Sequence, residues 1–219
     1  MILAGEQRAM IRIITIEREY GSGGAAIARK LANKLNWKLW DQMLTGEIAR
    51  IAQADLSAVE RKEERCDTLF FRLMKVFLRG SFERSLPVSN LNMLDADRMA
   101  ELMHQVINDA ASDGDCVIVG RGSPYFLRGR PDAFHVFIYA PYEEKIRRVR
   151  EIGHSAKEAA ELVGTIDRER AAFIKRYFGK EWPSRHLYHM MLNSSVGDDA
   201  VIEMILNEVA ILNRQPVTA

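Results

Sequence analysis

The chain has 219 residues, 47% of them hydrophobic, with 31 Lys and Arg against 30 Asp and Glu. That balance suits a globular protein and excludes a disordered one, and a net charge of +1 excludes whole-molecule attraction to nucleic acid or an anionic membrane. Two cysteines, Cys66 and Cys116, form no CxxC pair, so a disulfide framework is not expected, and no run reaches the ~20 apolar residues of a membrane span.

Residues 1–10 lack the basic start and apolar run of a secretory signal. They read as a flexible leader, and a cytoplasmic setting is expected. Residues 12–17 (RIITIE) are β-branched and mostly apolar, the pattern of a buried strand. A glycine cluster follows at Gly21, Gly23 and Gly24. Ile27, Leu31 and Leu35 then recur every four residues, which predicts a helix over 25–35. Residues 37–40 read as a short second strand ending at Asp41.

Residues 42–79 look helical and carry the charge run ERKEER, which reads as a solvated face. Residues 80–93 hold Gly, Pro, Ser and Asn and read as a loop. A helix over 95–111 ends at Gly114. Residues 115–119 and 133–140 read as the third and fourth strands, with Gly120-Arg121-Gly122 after the third. Helices are predicted over 142–152 and 155–178, a fifth strand over 187–193, and a final amphipathic helix over 198–212. This alternation implies an α/β sandwich: a five-stranded, mainly parallel sheet with helices on both faces. Ligands of such sheets bind beyond the carboxyl ends of the strands.

The first such loop is Arg18-Glu19-Tyr20-Gly21-Ser22-Gly23-Gly24. Glycines there permit positive φ and close approach of a ligand to the backbone. The helix behind offers unpaired N–H groups and a positive dipole end, a site for phosphate. The regular phosphate loop is GxxxxGK[ST], and this chain departs from it. Aligned by strand and helix, Gly24 stands where the lysine belongs, and Ala25 and Ala26 occupy the stretch that supplies a magnesium hydroxyl.

The segment 168–185 concentrates positive charge. Its six basic residues face two acidic ones, a local charge of +4 in a chain of +1. The terminal residues Val201, Ile205 and Val209 read as core cover, and Trp37, Trp40 and Trp182 as packing residues. His186 and His189 do not read as a metal pair.

The segments ITIEREYGSGG, WKLWDQML, VIVGRGSPYFLRGRPDAFHVFIYAPYEEKIRRV, TIDRERAAFIKRYFGKEW and YHMMLNSS, in that order, resemble the cytidylate kinase-like family of P-loop proteins. The resemblance implies a P-loop kinase-like domain over 11–219, with a helical monophosphate-binding region at 42–112 and a lid at 155–185. It implies ATP and Mg²⁺ as cofactors and a nucleoside monophosphate, CMP or dCMP, as the small-molecule substrate.

On that resemblance Gly21, Ser22, Gly23, Gly24 and Ala25 would bind the ATP phosphates. Arg18 is the first candidate for the missing lysine's role and Arg29 a second. Arg121 matches the arginine that contacts the acceptor, although Gly122 replaces the family's aspartate. Arg168, Arg170 and Arg176 would neutralise charge from the lid, since phosphoryl transfer is positioning plus charge stabilisation. Asp41 would hold the acceptor or a metal-bound water, or else cap the next helix. Two other readings stand beside this one: a kinase for a different small acceptor, and a nucleotide-binding sensor without catalysis.

Overall fold

The computed structural model describes residues 9–41 and 96–214. The expected leader up to residue 8, the helical region 42–79, the loop 80–93 and Cys66 lie outside the described residues.

Five strands form one parallel sheet: β1 (Ile13–Arg18), β2 (Lys38–Trp40), β3 (Cys116–Val119), β4 (Ala133–Tyr139) and β5 (Met190–Asn193). Their spatial order is β2-β3-β1-β4-β5. The chain reverses its direction of winding between β3 and β1, so the crevice beyond their carboxyl ends is where a ligand site forms. β1 lies between two neighbours and all six of its residues are buried, hence its run of isoleucines.

Among the described residues, six α-helices connect and cover the strands: α1 (Gly24–Leu35), α2 (Ala96–Ser112), the one-turn α3 (Ser123–Phe126), α4 (Tyr142–Glu151), α5 (Ala156–Phe178) and α6 (Asp198–Arg214). Strand side chains alternate between two faces. Ile14, Ile16, Val117, Val119 and Val136 pack under α1 and α6, against Ile27, Leu31, Val201 and Ile205. Ile13, Cys116 and Ile118 face the opposite way, against Met103 and Ile107 of α2 and Phe173 and Ile174 of α5. Burial pushes the Cys116 thiol up to about 12, so it is an inert core group.

Several boundaries differ from those expected, each for a local reason. β1 runs one residue further, because Arg18 pairs with Ile138 of β4. Arg18 is therefore held by the sheet. β3 starts one residue later, because Asp115 takes a left-handed turn (φ 49°). β5 starts at Met190, since the Leu187 N–H closes a turn onto the Ser184 carbonyl. α5 opens on a capping box between Ser155 and Glu158 and closes on left-handed Gly179. Phe173 and Ile174, near its end, are fully buried. The stretch expected as a lid is thus anchored in the core at its carboxyl end.

Candidate functional site

The loop between β1 and α1 is built from backbone bonds and one ion network. Gly21 (φ 77°) and Gly23 (φ 79°) are left-handed. Ser22 is fully buried, and its hydroxyl donates to the Glu19 carbonyl at 2.9 Å. Its own carbonyl accepts from the Ser194 hydroxyl at 2.6 Å. Ser22 therefore ties the loop to the end of β5. Gly23 is the cap of α1 and carries no side-chain oxygen, and the first turn of α1 has no acidic residue. Among the described residues no side chain caps this helix start, and such N–H groups can take an anion.

Two arginines lie against these glycines. A Cβ at Gly23 would fall 1.8 Å from Arg148 Nη1, and one at Gly120 would fall 1.8 Å from Arg18 Nη1. Arg148, on α4, pairs with Glu144 (2.9 Å) and Asp198 (3.0 Å) and donates to the Ser194 carbonyl. Arg18 crosses from the end of β1 to the end of β3, under the start of α1. That crevice is the reversal point of the sheet.

A Gly23→Ala substitution is expected to displace Arg148 and strain the left-handed backbone by about 1–2 kcal/mol. At about 2–4 °C per kcal/mol for a chain of this size, the melting temperature should fall by several degrees, which a thermal melt measures.

The second half of the site is Gly120-Arg121-Gly122, three successive left-handed residues at φ 64°, 63° and 68°. A left-handed arginine is strained by about 1–2 kcal/mol. The strain is held because Ile118 and Val119, just before it, are fully buried, each contributing about 1.5–3 kcal/mol. The turn drives the Arg121 side chain inward, where it is only 2% exposed. Burial pulls its pKa down to about 10, with Asp41 and Glu17 opposing and Arg18 and Arg170 adding to the fall.

Those same groups form one buried cluster: Glu17 is 1% exposed, Arg18 4%, Arg170 5% and Asp41 6%. Arg170 Nη1 donates to the Arg18 carbonyl at 2.8 Å and to Asp167 at 3.1 Å. Asp167 also accepts the Tyr20 N–H at 2.8 Å and lies 3.6 Å from Lys145 Nζ. Lys145 in turn pairs with Glu19 at 2.9 Å. Burial pushes the Asp167 carboxyl up, against the pull of Arg170 and Lys145. Asp167 and Arg170 thus clasp the glycine loop from outside.

Of the residues singled out in the sequence, the fold gathers Arg18, Asp41, Arg121 and Arg170 into one cluster beside Gly21, Ser22, Gly23, Gly24 and Ala25. It does not bring Arg168 or Arg176 there; both are exposed on α5. Arg29 is exposed on α1. Arg130 pairs with Asp132 on the surface. Four contributors escaped sequence reasoning. Glu17 reads as part of a strand, Lys145 and Arg148 as members of a strongly charged helix, and Trp182 as packing. The partners that bring them to the site lie 50 to 165 residues away in the chain, beyond any local pattern.

A profile of the cytidylate kinase-like family matches residues 13–196. The chain belongs to the cytidylate kinase-like family. That match spans the glycine loop, the left-handed arginine turn and the clasp alike. Comparison of the sequence with curated proteins gives no match.

Among solved structures, the chain is similar to an uncharacterized protein from Eubacterium ventriosum, at 22% identity and TM-score 0.64, covering 90% of this chain and 98% of that one. It is also similar to shikimate kinase from Bacteroides thetaiotaomicron (15%, TM-score 0.51, 92% and 99%). A sugar kinase from Janibacter sp. is similar too (13%, TM-score 0.51, 93% and 96%). These likenesses establish the fold, that of P-loop kinases. Among the described residues of this family member, no helix is long and apolar enough to cross a membrane.

Proposed function

We propose that this protein transfers the γ-phosphoryl group of ATP to a nucleoside monophosphate, with CMP and dCMP the first acceptors to test. One observation carries the reading. Arg18, Arg121 and Arg170 are buried together at the carboxyl ends of β1 and β3, beside a helix start that no side chain among the described residues caps. Three clustered cations away from water suit phosphate oxygens on either side of a transferring phosphoryl group.

The residues present fit the nucleotide. The backbone from Gly21 to Ala25 would hold the donor phosphates, and Arg18 would stand in for the lysine. Arg121 would hold the acceptor phosphate. Arg170 acts from behind, fixing the Arg18 carbonyl. Arg168, exposed on α5 and turned away from the loop, is given no phosphate contact in this reading. Arg176 is set aside, because it follows Phe173 and Ile174 at the core-anchored end of α5. Mg²⁺ bound with ATP would neutralise phosphate charge through water and phosphate oxygens, with Asp41 a buried carboxylate of the same cluster; Ser22 spends its hydroxyl on the loop.

A second reading has its own observation. Two carboxylates, Glu17 and Asp41, are buried with Arg121, and a hydroxyl acceptor calls for a positioned carboxylate. The named relatives in fold include kinases of shikimate and of a sugar.

Purified protein with Mg·ATP is therefore offered every ribo- and deoxyribonucleoside monophosphate, and shikimate and simple sugars beside them. The expected result is a cytidine diphosphate formed one-for-one with ADP. Phosphorylation of hydroxyl compounds alone would favour the second reading. ATP binding with no product from any acceptor would leave a sensor.

A further inference from the structure

Glu17 is the one carboxylate of β1, and it is 1% exposed. A carboxylate so deeply buried is costly unless its oxygens are satisfied. Both are, and by segments distant in the chain. One oxygen accepts the Gly122 N–H at 3.3 Å, and the other accepts the Trp182 indole N–H at 3.1 Å. The first bond ends on the last residue of the left-handed turn that carries Arg121. The second reaches the segment between α5 and β5. Trp182 is itself seated edge-on against Phe137 of β4, with ring centroids 5.4 Å apart.

The turn is thus tied to β1 at both ends: the Gly120 N–H donates to the Ile16 carbonyl at 2.9 Å, and the Gly122 N–H donates to the Glu17 carboxylate. Glu17 also faces Arg121 and Arg170, whose charges it supports, and Tyr125 and Tyr188, whose phenols burial pushes up and Glu17 pushes further. It touches neither the glycine loop nor the uncapped start of α1 through any of these bonds.

We propose that Glu17 is the positioning residue of the acceptor site: braced by Trp182, it locks the Gly120-Arg121-Gly122 turn and so aims Arg121. This rests on the phosphotransferase reading above. It acts through Arg121, so its effect falls on acceptor binding and not on ATP.

Glu17→Gln keeps the size of the side chain but turns one acceptor into a donor, which must then oppose either the Gly122 N–H or the Trp182 N–H. The acceptor KM is expected to rise about tenfold, the effect of one charge-assisted bond, with the KM for ATP within twofold. Amide hydrogen exchange over residues 119–126 should quicken, while β4 and α6 keep their protection. Trp182→Phe, which keeps the ring and loses the donor, should shift both readouts the same way and less far. A purely structural role would instead lower the melting temperature and worsen both substrates together.

Adding Glu17→Gln to Arg121→Met should raise the acceptor KM no further, because the two act as one unit. Additive losses in that double variant would overturn the proposal, as would a folded Glu17→Gln with unchanged exchange over 119–126. If the wild type transfers phosphate to nothing, the proposed function fails. The exchange comparison still decides this inference, since it needs no turnover.

Discussion

Replacing Arg121 with methionine is expected to cut kcat/KM for the acceptor by about 100- to 1,000-fold, the range seen when one preorganised charge-stabilising donor is removed. Methionine matches the length of the arginine stem and keeps the apolar packing, so the change isolates the guanidinium. The left-handed turn that carries Arg121 is strained, and such strain persists at positions that the surroundings over-determine. Its burial among Asp41, Glu17, Arg18 and Arg170 leaves it no role in solubility.

Arg121→Lys should recover only part of the loss. An ammonium keeps the charge but lacks the planar fork that meets two phosphate oxygens at once. Kinetics of both variants with the best acceptor, run beside thermal melts, measure this. A folded Arg121→Met with kcat/KM within twofold of wild type would remove Arg121 from the site.

Arg170→Met is expected to act mainly on stability. It deletes the 2.8 Å bond to the Arg18 carbonyl and the 3.1 Å bond to Asp167. Asp167 stays behind, buried, with the Tyr20 N–H and a more distant Lys145. Breaking a buried pair from one side costs about 3–5 kcal/mol. At about 2–4 °C per kcal/mol for a chain of this size, the melting temperature should fall by about 10 °C.

Removing both partners is milder than removing one, because no charge is stranded. Arg170→Met with Asp167→Leu should therefore melt higher than Arg170→Met alone. Both should still bind ATP weakly, since the Tyr20 N–H loses its tether in the double variant and the loop loosens in each. Differential scanning calorimetry separates these outcomes. Equal melting temperatures for wild type and Arg170→Met would show that the clasp on the loop contributes nothing.

Much of the frame was legible in the sequence. The isoleucines of β1, the four-residue apolar spacing of α1 and the glycine cluster between them are local signals, and local signals fix elements. The parallel sheet follows from the alternation of strand and helix. Arg18 could be picked out because a cation replaced a glycine in a phosphate-loop frame. Arg121 could be picked out because two glycines flanked it.

What the sequence hid is pairing across distance. Arg168 and Arg170 look alike in DRER, yet one is exposed and the other buried. Their separation of two positions turns them about 200° apart on a helix, so only one can face the loop. Asp167 lies within the stretch expected as a lid, and its carboxylate receives the Tyr20 N–H. Glu17 sits in an otherwise apolar strand, and nothing nearby announces that Gly122 and Trp182 will meet it. Arg148 lies in a helix dense with charge, where one guanidinium touching Gly23 has no local mark.

The central claim is that phosphoryl transfer proceeds here with Arg18 in the place of the phosphate-loop lysine. Its most direct measurement is a single-turnover experiment with ATP labelled on the γ-phosphoryl group and an excess of the best acceptor. Wild type and Arg18→Met are compared at enzyme concentrations that bind all the ATP. The account predicts label transferred to the acceptor by the wild type, and at least about 100-fold slower transfer by the variant. Wild-type protein that holds the labelled ATP and passes the label to no acceptor would contradict it, and so would Arg18→Met transferring at the wild-type rate.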